Sequence, residues 1–127
     1  MIVVDTSALM AILLGEAEGE VCIAALETAD RLLISAGTVA EAMIVARLRN
    51  VGAEMETLID GLGFDIVPLS AAGAKQVADA YGRWGKGIHP AGLNFGDCFA
   101  YAEAIAHDCP LLFVGQDFAS TDVARAL

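Results

Sequence analysis

Positive charge is scarce in this sequence. Seven Lys and Arg stand against seventeen Asp and Glu, for a formal net charge of -10. That balance argues against a broad basic surface for nucleic acid. It leaves open nucleic acid reached through metal ions and a local basic patch. Cysteine is sparse too. Cys22, Cys98 and Cys109 are odd in number and lack a C-x-x-C spacing, so they read as reduced, mostly buried thiols. Of the two histidines, His107 falls at a predicted helix C-terminus, where a cation suits the dipole. Neither His89 nor His107 makes a convincing metal ligand or general base. No apolar run reaches the roughly 18 residues that span a bilayer, so no membrane association is expected. The opening residues carry an acid at position 5 and no basic leader. They do not read as a signal peptide, and a cytoplasmic protein is expected.

What is present is apolar residue, at 57% of 127. That length suits one domain over residues 1–127 with a single sizeable core. The apolar excess also points to some surface being covered by a partner. The organising stretch is Met1-Ile2-Val3-Val4-Asp5-Thr6-Ser7-Ala8-Leu9. Its apolar run predicts a buried strand that delivers Asp5 at its C-terminal end, the edge where open α/β sheets bind ligands. Leu111-Leu112-Phe113-Val114-Gly115-Gln116-Asp117 repeats the pattern near the far end.

Between them, strands are predicted at Leu32–Ser35 and Phe64–Leu69. Helices are predicted to Leu14 and over Glu16–Ala29, Thr38–Asn50, Ala53–Leu62, Ala71–Trp84 and Asp97–Asp108, with a long glycine-rich loop over Gly85–Gly96. Strands alternating with helices predict an α/β fold, a three-layer α/β/α sandwich around a central parallel sheet.

Two acids fall on apolar helix faces. Glu41 shares a stripe with Ile44, Val45 and Leu48, and Asp97 heads a stripe with Ala100, Tyr101 and Ala104. Capping gives each a structural explanation. Thr38-x-x-Glu41 fits a capping box, and Asp97 fits an N-cap. Asp5 and Asp117 fit turn positions. Taken together, Asp5, Glu41, Asp97 and Asp117 sit at element starts or strand ends that could face one sheet edge. Four adjacent carboxylates cannot all ionise without a cation. Hard oxygen ligands of this kind suit Mg²⁺ or Mn²⁺, and the natural chemistry is metal-assisted hydrolysis of a phosphodiester.

Val4-Asp5-Thr6-Ser7-Ala8-Leu9, the isolated Glu41, Leu93-Asn94-Phe95-Gly96-Asp97-Cys98-Phe99-Ala100-Tyr101-Ala102 and the Leu111–Phe118 stretch resemble the PIN domain. More narrowly, they resemble the VapC toxins of bacterial type II toxin–antitoxin systems. The resemblance runs the length of the chain, and its most specific piece is the Asn94–Ala102 segment. It implies a Mg²⁺- or Mn²⁺-dependent ribonuclease cutting a structured RNA such as tRNA or rRNA, with Asp5, Glu41, Asp97 and Asp117 as the catalytic, metal-holding acids. Thr6 or Ser7 would supply a hydroxyl behind the metal ligands, and Asn94 would orient the Asp97 loop. Asp122 also matches a family acid, either as a further ligand or as a cap on the tail. Gln116 departs from the pattern, standing where the family commonly has Asn. The resemblance further implies a homodimer restrained by a VapB-type antitoxin, with DNA contacted only through that antitoxin.

Arg83, Lys86 and His89, with Trp84 among them, precede Asp97. If their loop overhangs the acids, the cations could grip RNA phosphates while Trp84 stacks on a base; otherwise they are solvated charges beside a core Trp. Two other functions compete with the ribonuclease. A phosphatase with an aspartyl nucleophile wants a second acid two residues on, where Ser7 stands. A catalytically weak or inactive binding module would keep the fold without needing all four acids.

Overall fold

The fold is described from a computed structural model covering residues 1–127. Four short strands, β1 (Ile2–Val4), β2 (Leu32–Ser35), β3 (Asp65–Val67) and β4 (Leu111–Leu112), form one sheet in the order β3-β2-β1-β4. Every pairing is parallel, with Val3 beside both Leu33 and Leu111. Six helices surround it: α1 (Thr6–Leu13), α2 (Gly19–Thr28), α3 (Ala36–Leu48), α4 (Gly52–Leu62), α5 (Ala71–Trp84) and α6 (Phe95–Ala106).

Strand alternation divides the core in two. Val3, Leu33 and Leu111 point to one face, where Val77, Trp84, Phe99 and Tyr101 of α5 and α6 cover them. Val4, Leu32, Ile34 and Leu112 point to the other, under Leu9, Cys22, Ala42, Ala46, Met55 and Ile59 of α1 to α4. A strand whose neighbouring residues both find apolar cover must be apolar throughout, which is why β1 reads as an unbroken run. The result is the predicted three-layer sandwich with a central parallel sheet.

Boundaries shift in informative ways. Helix α3 begins at Ala36 rather than Thr38, because Ser35 ends β2 and caps the helix by accepting from the Gly37 amide at 3.1 Å. Helix α6 begins at Phe95 rather than Asp97, with Asn94 as its cap. Of the Leu111–Asp117 stretch that repeats the strand-then-acid pattern, only Leu111–Leu112 pairs as a strand. The tail turns back along β4: the Leu111 amide donates to Ala124 and the Ala126 amide to Leu111. The 85–96 loop is pinned at its base by paired backbone bonds between Trp84–Lys86 and Leu93.

Because β2 and β4 flank β1 on opposite sides, β1 and β4 border the point where the strand order reverses. Such a switch point leaves a crevice beyond the carboxyl ends of the strands. Asp5 follows β1 directly, and Asp117 lies five residues beyond Leu112.

Candidate functional site

Asp5 is the most constrained of the acids. Its amide donates to Leu112 of β4 at 3.0 Å, and its carboxylate caps α1. Oδ2 accepts from the Ser7 amide at 3.0 Å and the Ser7 hydroxyl at 2.7 Å. The same hydroxyl accepts from the Val114 amide at 3.0 Å, so Ser7 fastens the exit of β1 to the exit of β4. Asp5 is 2% exposed, and its second oxygen, Oδ1, is buried without a hydrogen-bond partner. A buried carboxylate oxygen left unpaired is costly. Burial pushes the Asp5 carboxyl up to about 7; the Ser7 bonds pull it down, and the charges of Asp97 and Glu41 add to the rise.

Glu41 does not form the capping box with Thr38. That reading fails because α3 starts earlier, which leaves Thr38 inside the first turn, fully buried, with its hydroxyl unpartnered. Glu41 instead accepts from the Thr6 hydroxyl at 2.6 Å, a bond that joins α3 to α1 directly behind Asp5. Asp97 is not the N-cap of α6 but its third residue. The Asn94 side chain accepts from the Asp97 amide at 2.8 Å, while the Asp97 carboxylate accepts from the Asn94 amide at 2.9 Å. Burial raises the Asp97 carboxyl to about 6 against the pull of the Asn94 amide, with Glu41 and Asp117 pushing it further up. Asp117 is exposed, precedes a 3₁₀ turn (Phe118–Ser120) and makes no capping bond with its side chain.

The structure thus brings Asp5, Glu41 and Asp97 within electrostatic reach of one another, with Asp117 within reach of Asp97. As placed they do not close on a point; no three acids, histidines or cysteines form a ready ligand set. Glu41 and Asp97 are each turned to a protein donor, and like charges hold apart. The donor set nevertheless fits a hard divalent cation: carboxylate oxygens only, one of them buried and unsatisfied.

Asp122 has other partners. Its Oδ1 accepts from the Tyr101 hydroxyl at 2.5 Å, and its Oδ2 lies 3.5 Å from the Arg83 guanidinium. Tyr101 in turn accepts from the indole of Trp84 at 2.9 Å. Sequence alone placed Tyr101 only on an apolar stripe; nothing local marks it as the clamp on the tail. Trp84 is buried and does not offer a face for base stacking. Arg83 lies over its ring at 4.5 Å, and His89 meets it edge-on at 4.7 Å while accepting from the Ala91 amide. Lys86 is exposed. Arg83 and His89 gather around Trp84, Arg83 also reaching Asp122 of the tail, and neither they nor Lys86 form an ion pair with the four acids.

Residues 2–124 match the family model described as "PIN domain". The chain is 40% identical over 125 residues to "Ribonuclease VapC30" of Mycobacterium tuberculosis, covering 96% of this chain and 95% of that protein. Among solved structures it superposes on the VapC20 toxin of M. tuberculosis, whose description reads "Sarcin-Ricin loop cleaving toxin", with a TM-score of 0.78 at 14% identity, over 98% of this chain and 97% of that one. It also superposes on a toxin–antitoxin complex from Klebsiella pneumoniae with a TM-score of 0.71 at 22% identity, over 96% and 93% of the two chains.

Proposed function

This chain belongs to the PIN domain family, and from that premise we propose that it is a metal-dependent endoribonuclease toxin, hydrolysing RNA phosphodiesters and restrained by a VapB-type antitoxin. The observation that carries the reading is Asp5 Oδ1, a buried oxygen without a hydrogen-bond partner, on a carboxyl that burial raises as it also raises that of Asp97. A divalent cation supplies what that arrangement lacks. The relatives that carry the name ribonuclease, matched nearly end to end, support the reaction class.

Asp5, Glu41, Asp97 and Asp117 would hold Mg²⁺ or Mn²⁺, which when bound lowers the pKa of an attacking water and offsets charge on the leaving oxygen. The chain's own contribution is orientation. Ser7 fixes Asp5, Thr6 holds Glu41, and Asn94 holds Asp97 at the head of α6. Asp122, with both oxygens facing Tyr101 and Arg83, stands outside this set as a clamp on the tail. Lys86 is the cation freest to meet RNA phosphate, with Arg83 and His89 beside it holding Trp84. The exposed Phe95, Ile44 and Leu48 offer apolar surface near Glu41 for a second copy of the chain or for the antitoxin. Its proposed place of action is the cytoplasm; no helix is long and apolar enough to cross a membrane.

Asp97→Asn tests the reading. Asn at the third helical position can still accept from the Asn94 amide, so the substitution removes charge and little else. Wild type should give discrete, Mn²⁺- or Mg²⁺-dependent cuts in total bacterial RNA that EDTA abolishes and the variant lacks. No cutting by wild type freed of antitoxin would favour a binding module instead.

A further inference from the structure

Glu41 reaches the other acids across a gap that exists only because α6 has a glycine in its first turn. A β-carbon built on Gly96 would overlap the Glu41 carboxylate, meeting Oε2 and Cδ and lying 2.9 Å from Oε1. The same closeness appears one helix turn away. A β-carbon on Gly37 of α3 would run into the Phe99 ring of α6. The two helices are therefore packed backbone to side chain, and the Glu41 carboxylate rests against the bare Cα of Gly96. From that position Oε1 accepts the Thr6 hydroxyl at 2.6 Å.

We propose that Gly96 is a positioning residue for the metal site: by carrying no side chain, it admits the Glu41 carboxylate to its place between Thr6 and Asp97. The inference rests on the metal reading of the four acids but adds a residue that has no ligand atom in its side chain. Its logic is asymmetric. The atoms in the way of a methyl group are the far end of a flexible side chain, so the helix need not move; the carboxylate does. Gly96 has no left-handed backbone angle that would call for glycine, and glycine within a helix is less stable than alanine. Local stability therefore favours the larger residue, and the space for Glu41 favours the smaller.

The test compares wild type, Gly96→Ala, Glu41→Ala and the double variant by thermal melting in EDTA, by Mn²⁺ binding from the EPR signal of free Mn²⁺, and by crystal structures of wild type and Gly96→Ala. The expected Gly96→Ala protein melts no lower than wild type, has lost the Thr6–Glu41 hydrogen bond and binds Mn²⁺ about tenfold or more weakly. In the Glu41→Ala background the same change alters Mn²⁺ affinity by less than about twofold, because there is no carboxylate left to displace. A Glu41 carboxylate still bonded to Thr6 in Gly96→Ala would overturn the proposal, as would an equal loss of Mn²⁺ affinity with and without Glu41. Absence of Mn²⁺ binding by wild type, with Glu41 nevertheless displaced in Gly96→Ala, would leave the steric role standing and remove the metal reading.

Discussion

The two strand exits that meet at the switch point deliver their acids in opposite ways. After β1, Asp5 follows at once, 2% exposed, capping α1 and bound through Ser7 to the backbone of the neighbouring exit. After β4, the chain runs through Gly115, whose φ of 103° needs a glycine, and reaches an exposed Asp117 whose side chain caps nothing. The buried acid is fixed by the fold and bears an electrostatic cost in the absence of a cation. The exposed one has no side-chain capping bond to hold it and is free to adjust. A site built this way has one rigid wall and one adaptable wall.

Substituting the rigid wall should have the largest effect. Asp5→Asn is expected to lower ribonuclease activity by on the order of a hundredfold or more, beyond the loss typical of groups behind the ligands. It should also stabilise the metal-free protein. The folded pKa of Asp5, raised to about 7 from 3.8, means that stability present below pH ~4 is lost as the pH rises toward 7, by up to about 4 kcal/mol. Asp97, raised to about 6, works in the same direction. Urea melts in EDTA between pH 4 and 8 should therefore show wild type weakening across that window and Asp5→Asn weakening less. Parallel curves would mean that Asp5 ionises in the fold without penalty.

Loosening the link between the walls should matter less. Ser7→Ala removes the donor to Asp5 and the acceptor for the Val114 amide, with an expected stability loss of about 1–3 kcal/mol and a smaller fall in activity than Asp5→Asn. Thermal melts and the RNA assay read the two separately. The adaptable wall should respond least in stability. Asp117→Asn is expected to change it by no more than about 0.5 kcal/mol, while raising the Mn²⁺ concentration needed for half-maximal cutting. A large drop in melting temperature would show that Asp117 supports the fold after all.

What could be read from the sequence follows from how locally each feature is encoded. The unbroken Ile2–Val4 run and the acid after it are local facts, and they placed β1 and Asp5 correctly. The capping partners were legible as types but shifted in register. Thr38-x-x-Glu41 has the spacing of a box, yet Ser35, three residues earlier, both ends a strand and caps the helix, and so claims the role. Glu41 then finds its donor 35 residues away in Thr6, a partner no local spacing can reveal. Gly96 and Tyr101 were hidden for the same reason: a glycine's role against another helix, and a hydroxyl's bond to a tail residue, exist only once the layers pack.

The returning tail has a consequence for how other chains can join this sheet. By bonding to Leu111 on both sides of Arg125, and with the Arg125 guanidinium 4.5 Å from the Phe113 ring, the last residues occupy the outer side of β4. Recruitment by β-augmentation, in which a foreign segment lies down as an extra strand, is thereby directed to the opposite margin, where β3 presents the exposed Asp65 and Ile66.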